Sequence, residues 1–172
     1  QEMIYPKNYI KLRNFENHDQ KRLRSKVRDH NHFIQMLTMM FFIKGTAFVY
    51  AGMEHEIDHY PDLGQNDLVP WNHDKSLETY IKRLTQMKKD PIFVDGNFYL
   101  ENSQQIAVFS YDYKDQYLLG IFNLENISHV EVPLRDGIYK NELSNEDIIV
   151  KHGKIELNHK PMIIRTSRGQ KR

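Results

Sequence analysis

The sequence predicts a mixed α+β fold in which a strand–helix–strand–helix segment is followed by an antiparallel β domain. Up to residue 90, short apolar runs alternate with longer segments of helical period. From Phe93 onward, short runs of Val, Ile, Phe and Tyr recur between turn residues, and no helical period persists. We expect the boundary at Asp90-Pro91, which divides the chain into residues 1–90 and 91–172.

Composition narrows the classes of function. The 172 residues are 40% hydrophobic and 27% charged, as in ordinary soluble proteins. Lys plus Arg (24) balance Asp plus Glu (23), which gives no electrostatic basis for a nucleic-acid or membrane partner. The absence of Cys excludes disulfides and a thiol nucleophile and favours a cytoplasmic location. Residues 1–6 lack the pattern of a signal peptide, and residues 36–43 are too short to span a bilayer.

The first half carries four predicted elements. Residues 9–15 are typical of a short, mostly buried strand, and residues 33–43, apolar nearly all round, predict a buried helix. Residues 46–51 predict a second buried strand. An amphipathic helix follows, with Ser76 as its expected N-cap and Pro91 preventing its continuation. This order implies parallel strands with helical crossovers, and two such strands alone cannot bury both faces of a sheet.

The second half predicts seven short strands separated by turn signals such as Arg135-Asp136-Gly137 and His152-Gly153. Their spacing favours an antiparallel sandwich. The predicted strands are residues 98–100, 106–113, 117–122, 130–132, 148–150, 154–157 and 162–164.

A polar cluster follows the first predicted strand. Asn17, His18, Asp19 and Arg22 supply an amide, an imidazole, a carboxylate and a guanidinium within six residues. Parallel α/β folds place their chemistry at the carboxyl ends of strands. A purely structural interpretation is also open: Asp19 would cap a helix, Arg22 would pair with a nearby carboxylate, and His18 would lie half exposed.

A second motif invites a metal interpretation. His55-Glu56-Ile57-Asp58-His59 matches H-E-x-x-H, which binds zinc when both imidazoles lie on one helical face. This copy follows a strand and Gly52 and runs into Tyr60-Pro61, which does not favour a helix. The sequence therefore predicts no metal site here.

Two segments resemble the α-amylase family, glycoside hydrolase family 13. Residues 15–22 (Phe-Glu-Asn-His-Asp-Gln-Lys-Arg) resemble its last conserved region, which ends the seventh barrel strand. Residues 44–54 resemble its eighth strand, with departures at Lys44, Ala47 and Met53. The positions that carry the second match are Gly45, Tyr50, Gly52 and Glu54.

The resemblance implies a fold. Residues 1–90 would be the last two β/α units of a TIM-type barrel, with strands 7 and 8 and their helices. Residues 91–172 would be the C-terminal domain, an antiparallel Greek-key β-sandwich. A complete barrel takes about 250 residues, so the resemblance identifies a C-terminal fragment of a larger enzyme.

The resemblance also implies chemistry, that of a retaining hydrolase of α-glucosidic bonds. Asp19 would be the catalytic acid that stabilises the transition state, and His18 would bind the substrate. Asn17, Arg22, Tyr50 and Glu54 would support them. The nucleophile and the proton donor would lie on strands four and five, outside this chain, so the fragment alone is expected to be inactive.

The expected partner is an α-glucan or oligosaccharide, with no nucleic acid and no membrane. No cofactor is expected in this fragment; calcium is open for the parent enzyme, since family members often bind it through residues outside this region. Two alternatives remain open. One is self-association through exposed barrel strand edges. The other is a non-catalytic carbohydrate-binding module on the β domain, whose candidate platform is Phe98, Tyr99, Tyr111, Tyr113 and Tyr117.

Overall fold

The structure is a computed structural model that describes residues 9–62, 64–71, 74–102 and 106–172. Residues 1–6, considered above for a signal peptide, lie outside the described residues. The helices are α1 (Leu23–Lys26), α2 (His30–Phe42), α3 (Ser76–Lys88) and α4 (Pro91–Asp95), with short 3-10 turns at Met53–His55 and Arg168–Gln170. The strands are β1 (Leu12–Arg13), β2 (Thr46–Ala47), β3 (Asn97–Asn102), β4 (Ala107–Tyr113), β5 (Gln116–Phe122), β6 (His129–Glu131), β7 (Gly137–Lys140), β8 (Asp147–Lys151), β9 (Lys154–Glu156) and β10 (Met162–Ser167).

Three layers build the molecule. Strands β1 and β2 pair in parallel, whereas the other strands form two antiparallel sheets, ordered β10-β5-β4-β3 and β6-β9-β8-β7. One hydrophobic core joins α2, α3 and α4 to the first sheet, and a second core fills the space between the two sheets. The first sheet is therefore covered on both faces.

Strand β5 illustrates how the sequence fits this central position. Leu118 and Phe122 belong to the core on the helical side, whereas Leu119 and Ile121 belong to the core between the sheets. Alternate residues of a strand point to opposite faces. An apolar run without alternation is thus what a strand buried on both sides requires.

Helix α2 is held to helix α3 and to the first sheet by hydrogen bonds. Asp29 caps its start by accepting a hydrogen bond from the His32 amide at 2.8 Å. The hydroxyls of Thr38 and Tyr80, on α2 and α3, lie 2.7 Å apart. At the other end, the Tyr111 hydroxyl of β4 donates to the carbonyl of Phe42 at 3.0 Å, which ties the helix to the first sheet.

The prediction of a mixed α+β fold with mostly antiparallel sheets is confirmed, and each of the seven strands predicted after residue 91 is found. One helix and one strand after residue 90 were missed. Pro91 begins α4 because Asp90 caps it, accepting from the Ile92 amide at 2.9 Å, and proline is favoured at the first helical position. Strand β7 was missed because it begins at Gly137, within a turn signal.

The predictions for the first half need correction. The two strands are shorter than expected and are not buried: Leu12 of β1 is 62% exposed, and Thr46 of β2 is exposed. The reason is that, within the ranges the structure describes, they form a sheet of only two strands. Ser76 is not the N-cap but the first residue of α3; Asp74 accepts from its amide at 2.8 Å. The division at residue 90 remains a prediction, and Ile92 and Phe93 beyond it pack into the helical core.

Within the described ranges, no helix combines the length and the apolar character needed to cross a membrane.

Substitution of Gly120 by Ala should weaken the fold because Gly120 of β5 lies against a ring that cannot move away. An added Cβ would meet Cζ of Phe42 at 2.7 Å, and Phe93, Tyr111 and Phe122 surround that ring. We expect Gly120→Ala to lower the free energy of unfolding by about 1–3 kcal/mol, as overpacking does. Urea denaturation measures this change.

The control is Gly137→Ala, which changes another strand glycine whose added Cβ would meet its nearest neighbour at an ordinary 3.7 Å. Equal effects of the two substitutions would contradict the packing argument.

Stability should depend on pH through Lys88, whose Nζ donates to the Ile43 carbonyl at 2.6 Å. Burial, and secondarily repulsion by Arg13, lower the pKa of Lys88 from 10.5 to about 7. Between pH 7 and 10.5 the unfolded chain, with an ordinary lysine pKa, binds more protons than the folded chain. The Lys88 contribution to the free energy of unfolding therefore rises with pH across this window.

We accordingly expect the stability of the wild-type chain to rise with pH relative to Lys88→Met, measured by urea denaturation at each pH. Lys82→Met, at an exposed position of the same helix, is the control and should follow the wild type. Parallel pH curves for wild type and Lys88→Met would refute the assignment.

Candidate functional site

The candidate site lies where the chain leaves β1 and β2. Because the two strands run parallel, with Leu12 beside Thr46 and Arg13 beside Ala47, their carboxyl ends face the same edge. The segment 15–22 leaves β1 there, and the segment 50–60 leaves β2. The structure thus brings together the two sequence segments that the resemblance singled out.

A buried ion pair forms the base of the site. The side chains of Glu16 and Arg22 are 0% and 2% exposed, and Arg22 Nη1 lies 3.0 Å from Glu16 Oε1. The other carboxylate oxygen of Glu16 accepts a hydrogen bond from the Leu23 amide at 2.5 Å. Each charge is therefore compensated, as burial requires.

Arg22 also fastens the two segments to each other. Its Nη1 donates to the Ala51 carbonyl at 2.8 Å, and its Nε donates to the His59 carbonyl at 3.1 Å. The Tyr50 ring lies 4.4 Å from the guanidinium carbon, in a cation–π arrangement. One side chain that starts in the first segment therefore holds three points of the second.

Gly52 and Glu54 shape the turn after Ala51. Gly52 has a φ of +101°, and a Cβ there would lie 3.0 Å from Ile57 and 3.3 Å from Arg22. Glycine is thus required both by the left-handed backbone and by the approach of the guanidinium. The Glu54 carboxylate accepts a hydrogen bond from the Gly52 amide at 2.8 Å, which stabilises the turn.

Asn17, His18 and Asp19 form a tight turn above the ion pair. Asn17 Oδ1 accepts from the Asp19 amide at 2.9 Å, and the Asn17 carbonyl accepts from the Gln20 amide at 3.2 Å. His18 Nε2 lies 3.2 Å from Asp19 Oδ2, and these two side chains are 64% and 75% exposed. The turn is therefore anchored through its backbone while the imidazole and the carboxylate face solvent, where they can bind hydroxyl groups.

The loop after residue 57 contacts the same turn. The Tyr60 hydroxyl donates to the His18 carbonyl at 2.8 Å. Asp67 Oδ2 accepts from the Asp62 amide and lies 2.8 Å from His59 Nε2. The pKa of Asp67 is lowered mainly by the backbone hydrogen bond from Asp62 and secondarily by the contact with His59. The carboxylate therefore stays charged and holds the loop together through these two contacts.

The helix that the zinc interpretation requires does not form. A single 3-10 turn ends at His55, and Glu56 has a left-handed backbone with φ +52°. The His55 ring packs edge-on against Trp71, whereas His59 contacts Asp67. Within the described part of the chain, no three His, Asp or Glu side chains group as metal ligands.

The β-domain platform is not assembled as the carbohydrate-module alternative needs. Tyr111 and Tyr117 are fully buried, and Phe98 and Tyr113 are partly buried. Of the five candidates, only Tyr99 is exposed.

The structural interpretation of Arg22, a pair with a nearby carboxylate, is confirmed, but sequence reasoning did not identify the partner as Glu16, and it missed Tyr60. Glu16 follows Phe15 directly and precedes Arg22 by six residues, a spacing that indicates a pair only once the chain is known to turn between them. Tyr60 lies 42 positions from His18, and only the folded loop brings them together.

The first comparison with known proteins is with models of protein families. Residues 98–164, which include most of both antiparallel sheets, match the family model described as Bacterial Alpha amylase C-terminal domain. A comparison with curated protein sequences finds no match.

Solved structures extend the likeness to the first half. An α-amylase from Lactobacillus plantarum is 26% identical with a TM-score of 0.84, over 96% of this chain and 40% of that one. A maltogenic α-amylase from Thermotoga neapolitana is 20% identical with a TM-score of 0.79, over 96% and 43%. An α-amylase from Geobacillus thermoleovorans, complexed with acarbose, is 18% identical with a TM-score of 0.69, over 88% and 37%. The resemblance to the α-amylase family is confirmed, and the chain spans about 40% of the length of the first of these relatives.

Removal of the Glu16 charge should be costly because it leaves the guanidinium of Arg22 buried beside a neutral group. We expect Glu16→Gln to lower the free energy of unfolding by about 3 kcal/mol or more, as for other broken buried pairs. Chemical denaturation of the chain measures this loss.

Glu78→Gln is the matched control, since Glu78 pairs with Lys82 at 3.2 Å on the surface of α3. Such exposed helical pairs contribute about 0.5 kcal/mol or less. A similar small loss for Glu16→Gln would show that the ion pair is not what holds the two segments.

Proposed function

We propose that this chain is the C-terminal part of an α-amylase-type glycoside hydrolase and supplies one of its three catalytic acids. In this proposal β1 and β2 are the last two strands of a (β/α)8 barrel, and residues 1–90 are its end. Residues 91–172 form the C-terminal domain, a Greek-key β-sandwich behind the barrel. The matches to α-amylases over nearly the whole chain support this assignment.

The observation that carries the proposal is the exposed His18–Asp19 pair on an anchored turn at the carboxyl ends of two parallel strands. In barrel enzymes this edge holds the active site. The backbone of the turn is fixed by Asn17 and by the Glu16–Arg22 pair, so Asp19 can be held in place without using its own carboxylate. That is the preorganisation that electrostatic catalysis needs.

Asp19 would act on developing positive charge. Retaining hydrolysis passes through an oxocarbenium-like transition state between a nucleophile and a proton donor about 5 Å apart. A carboxylate near the sugar ring stabilises that charge more than it stabilises the neutral substrate, and this difference accelerates the reaction. His18, 3.2 Å from Asp19, would hold the same sugar unit by a hydrogen bond.

The nearby carboxylates support the view that the other two acids come from outside the chain. Glu16 forms an ion pair with Arg22, and Glu54 accepts a hydrogen bond from the Gly52 amide. Glu56 pairs with Arg24 at 2.9 Å and with His30 at 2.8 Å. All three already have partners within the chain, and the Glu16 side chain is fully buried, which supports a nucleophile and a proton donor supplied from elsewhere. The chain alone would therefore hold substrate without cleaving it.

The proposed partner is an α-glucan or a related oligosaccharide. The acarbose complex of the Geobacillus thermoleovorans relative supports this class of ligand. A cytoplasmic location, and the absence of nucleic-acid and membrane partners, are part of the same proposal. Self-association is a second proposal, since among the described residues β1 and β2 form a sheet of only two strands, and a strand edge that lacks a neighbour can pair with another chain.

The activity of the chain is the direct test. We expect no release of product from starch or a chromogenic maltoside above the level of Asp19→Asn. Turnover by the wild-type chain that Asp19→Asn abolishes would overturn the proposal that its catalytic partners lie elsewhere.

The complementary measurement uses this chain joined to the barrel portion of a related α-amylase. There Asp19→Asn should lower kcat about 100-fold or more, the typical effect of losing one electrostatic group. Asp115→Asn, at an exposed turn of the β domain, is the control and should leave kcat unchanged. Equal activity of both variants would remove Asp19 from the mechanism.

A further inference from the structure

Tyr60 presents an aromatic ring beside the His18–Asp19 pair. Tyr60 is 43% exposed, and its hydroxyl donates a hydrogen bond to the His18 carbonyl at 2.8 Å. The hydroxyl therefore positions the side chain, and the ring is the part left to contact a ligand. Tyrosine commonly combines an apolar body with a polar end in this way.

The segment that carries Tyr60 is fixed on both sides. Immediately before it, the His59 carbonyl accepts from Arg22, and the His59 ring contacts Asp67. Two residues after it, the Asp62 amide donates to the same Asp67 carboxylate. A ring held by such contacts loses little conformational freedom on binding, which favours affinity.

Two other exposed aromatic residues, Tyr99 and Trp71, are placed differently. Tyr99 is also 43% exposed, but its ring contacts the Lys171 ammonium at 5.2 Å, in the β domain. Trp71 is 54% exposed and packs against His55 rather than the turn that carries Asp19. Tyr60 is distinguished by its direct hydrogen bond to that turn.

We propose that Tyr60 is a sugar-stacking residue that positions one glucose ring of an α-glucan next to the unit held by His18 and Asp19. The apolar C–H face of a pyranose matches an aromatic ring, while its hydroxyl groups reach the neighbouring imidazole and carboxylate. This inference rests on the proposed function and adds a residue that determines how the chain of sugars is oriented.

The test measures binding of maltoheptaose to the whole 172-residue chain by saturation-transfer NMR and titration. Tyr60→Ala should weaken binding about three- to tenfold, the size of one aromatic contact. Tyr60→Phe keeps the ring and should retain most of the affinity. Tyr99→Ala is the control of equal exposure and should bind as the wild type does.

Asp19→Asn separates this inference from the proposed function. If Asp19→Asn weakens binding and Tyr60→Ala does not, the stacking role is overturned while the role of Asp19 stands. If Tyr60→Ala weakens binding and Asp19→Asn does not, the stacking role is supported and the sugar-holding role of Asp19 fails. A Tyr60→Phe variant as weak as Tyr60→Ala would also overturn stacking, since the hydrogen bond alone would then matter. Absence of maltoheptaose binding by the wild-type chain would overturn both.

Discussion

The Glu16–Arg22 ion pair is the interaction on which the candidate site depends. Arg22 is nearly completely buried, and its guanidinium group contacts a carboxylate, two backbone carbonyls and an aromatic ring, which belong to four residues in three parts of the chain. Burial of a guanidinium is unfavourable unless its donors are satisfied in this way. The contacts that offset the unfavourable burial of Arg22 therefore also fix the ends of β1 and β2. By themselves these two short strands are paired through only two residues each.

The second constraint is the doubly covered first sheet. Its inner strand β5 is apolar on both faces because helices pack on one side and the second sheet packs on the other. Gly120 lets the Phe42 ring approach the strand closely, and Tyr111 ties the same helix end through its hydroxyl. The first sheet therefore packs against α2, and α2 is the helix that connects the site segment 15–22 to β2.

Local signals explain which predictions succeeded. The strands of the β domain could be predicted because apolar runs and turn residues are both local, and helix α2 was found because its apolar surface is continuous. The burial of β1 and β2 was mispredicted, since burial depends on neighbours that a single segment does not reveal. Asn17, His18, Asp19 and Arg22 could be singled out as candidates because they are adjacent in the sequence. The groups that hold their backbone and the Arg22 side chain come from residues 51 and 59–60, and only the fold brings them together.

The division of roles within the site has a physical reason. Glu16 and Arg22 are buried against each other and the backbone, so they stabilise structure and are not accessible to a ligand. His18 and Asp19 remain exposed because Asn17 and Tyr60 bond to the backbone of the turn, not to those side chains. Because the Asp19 side chain is exposed and contacts only the neighbouring exposed His18, its removal should cost little stability; in the proposed mechanism this carboxylate meets the developing positive charge. The candidate site is therefore structurally self-sufficient and, in the proposed mechanism, chemically incomplete without two acids from another part of the enzyme.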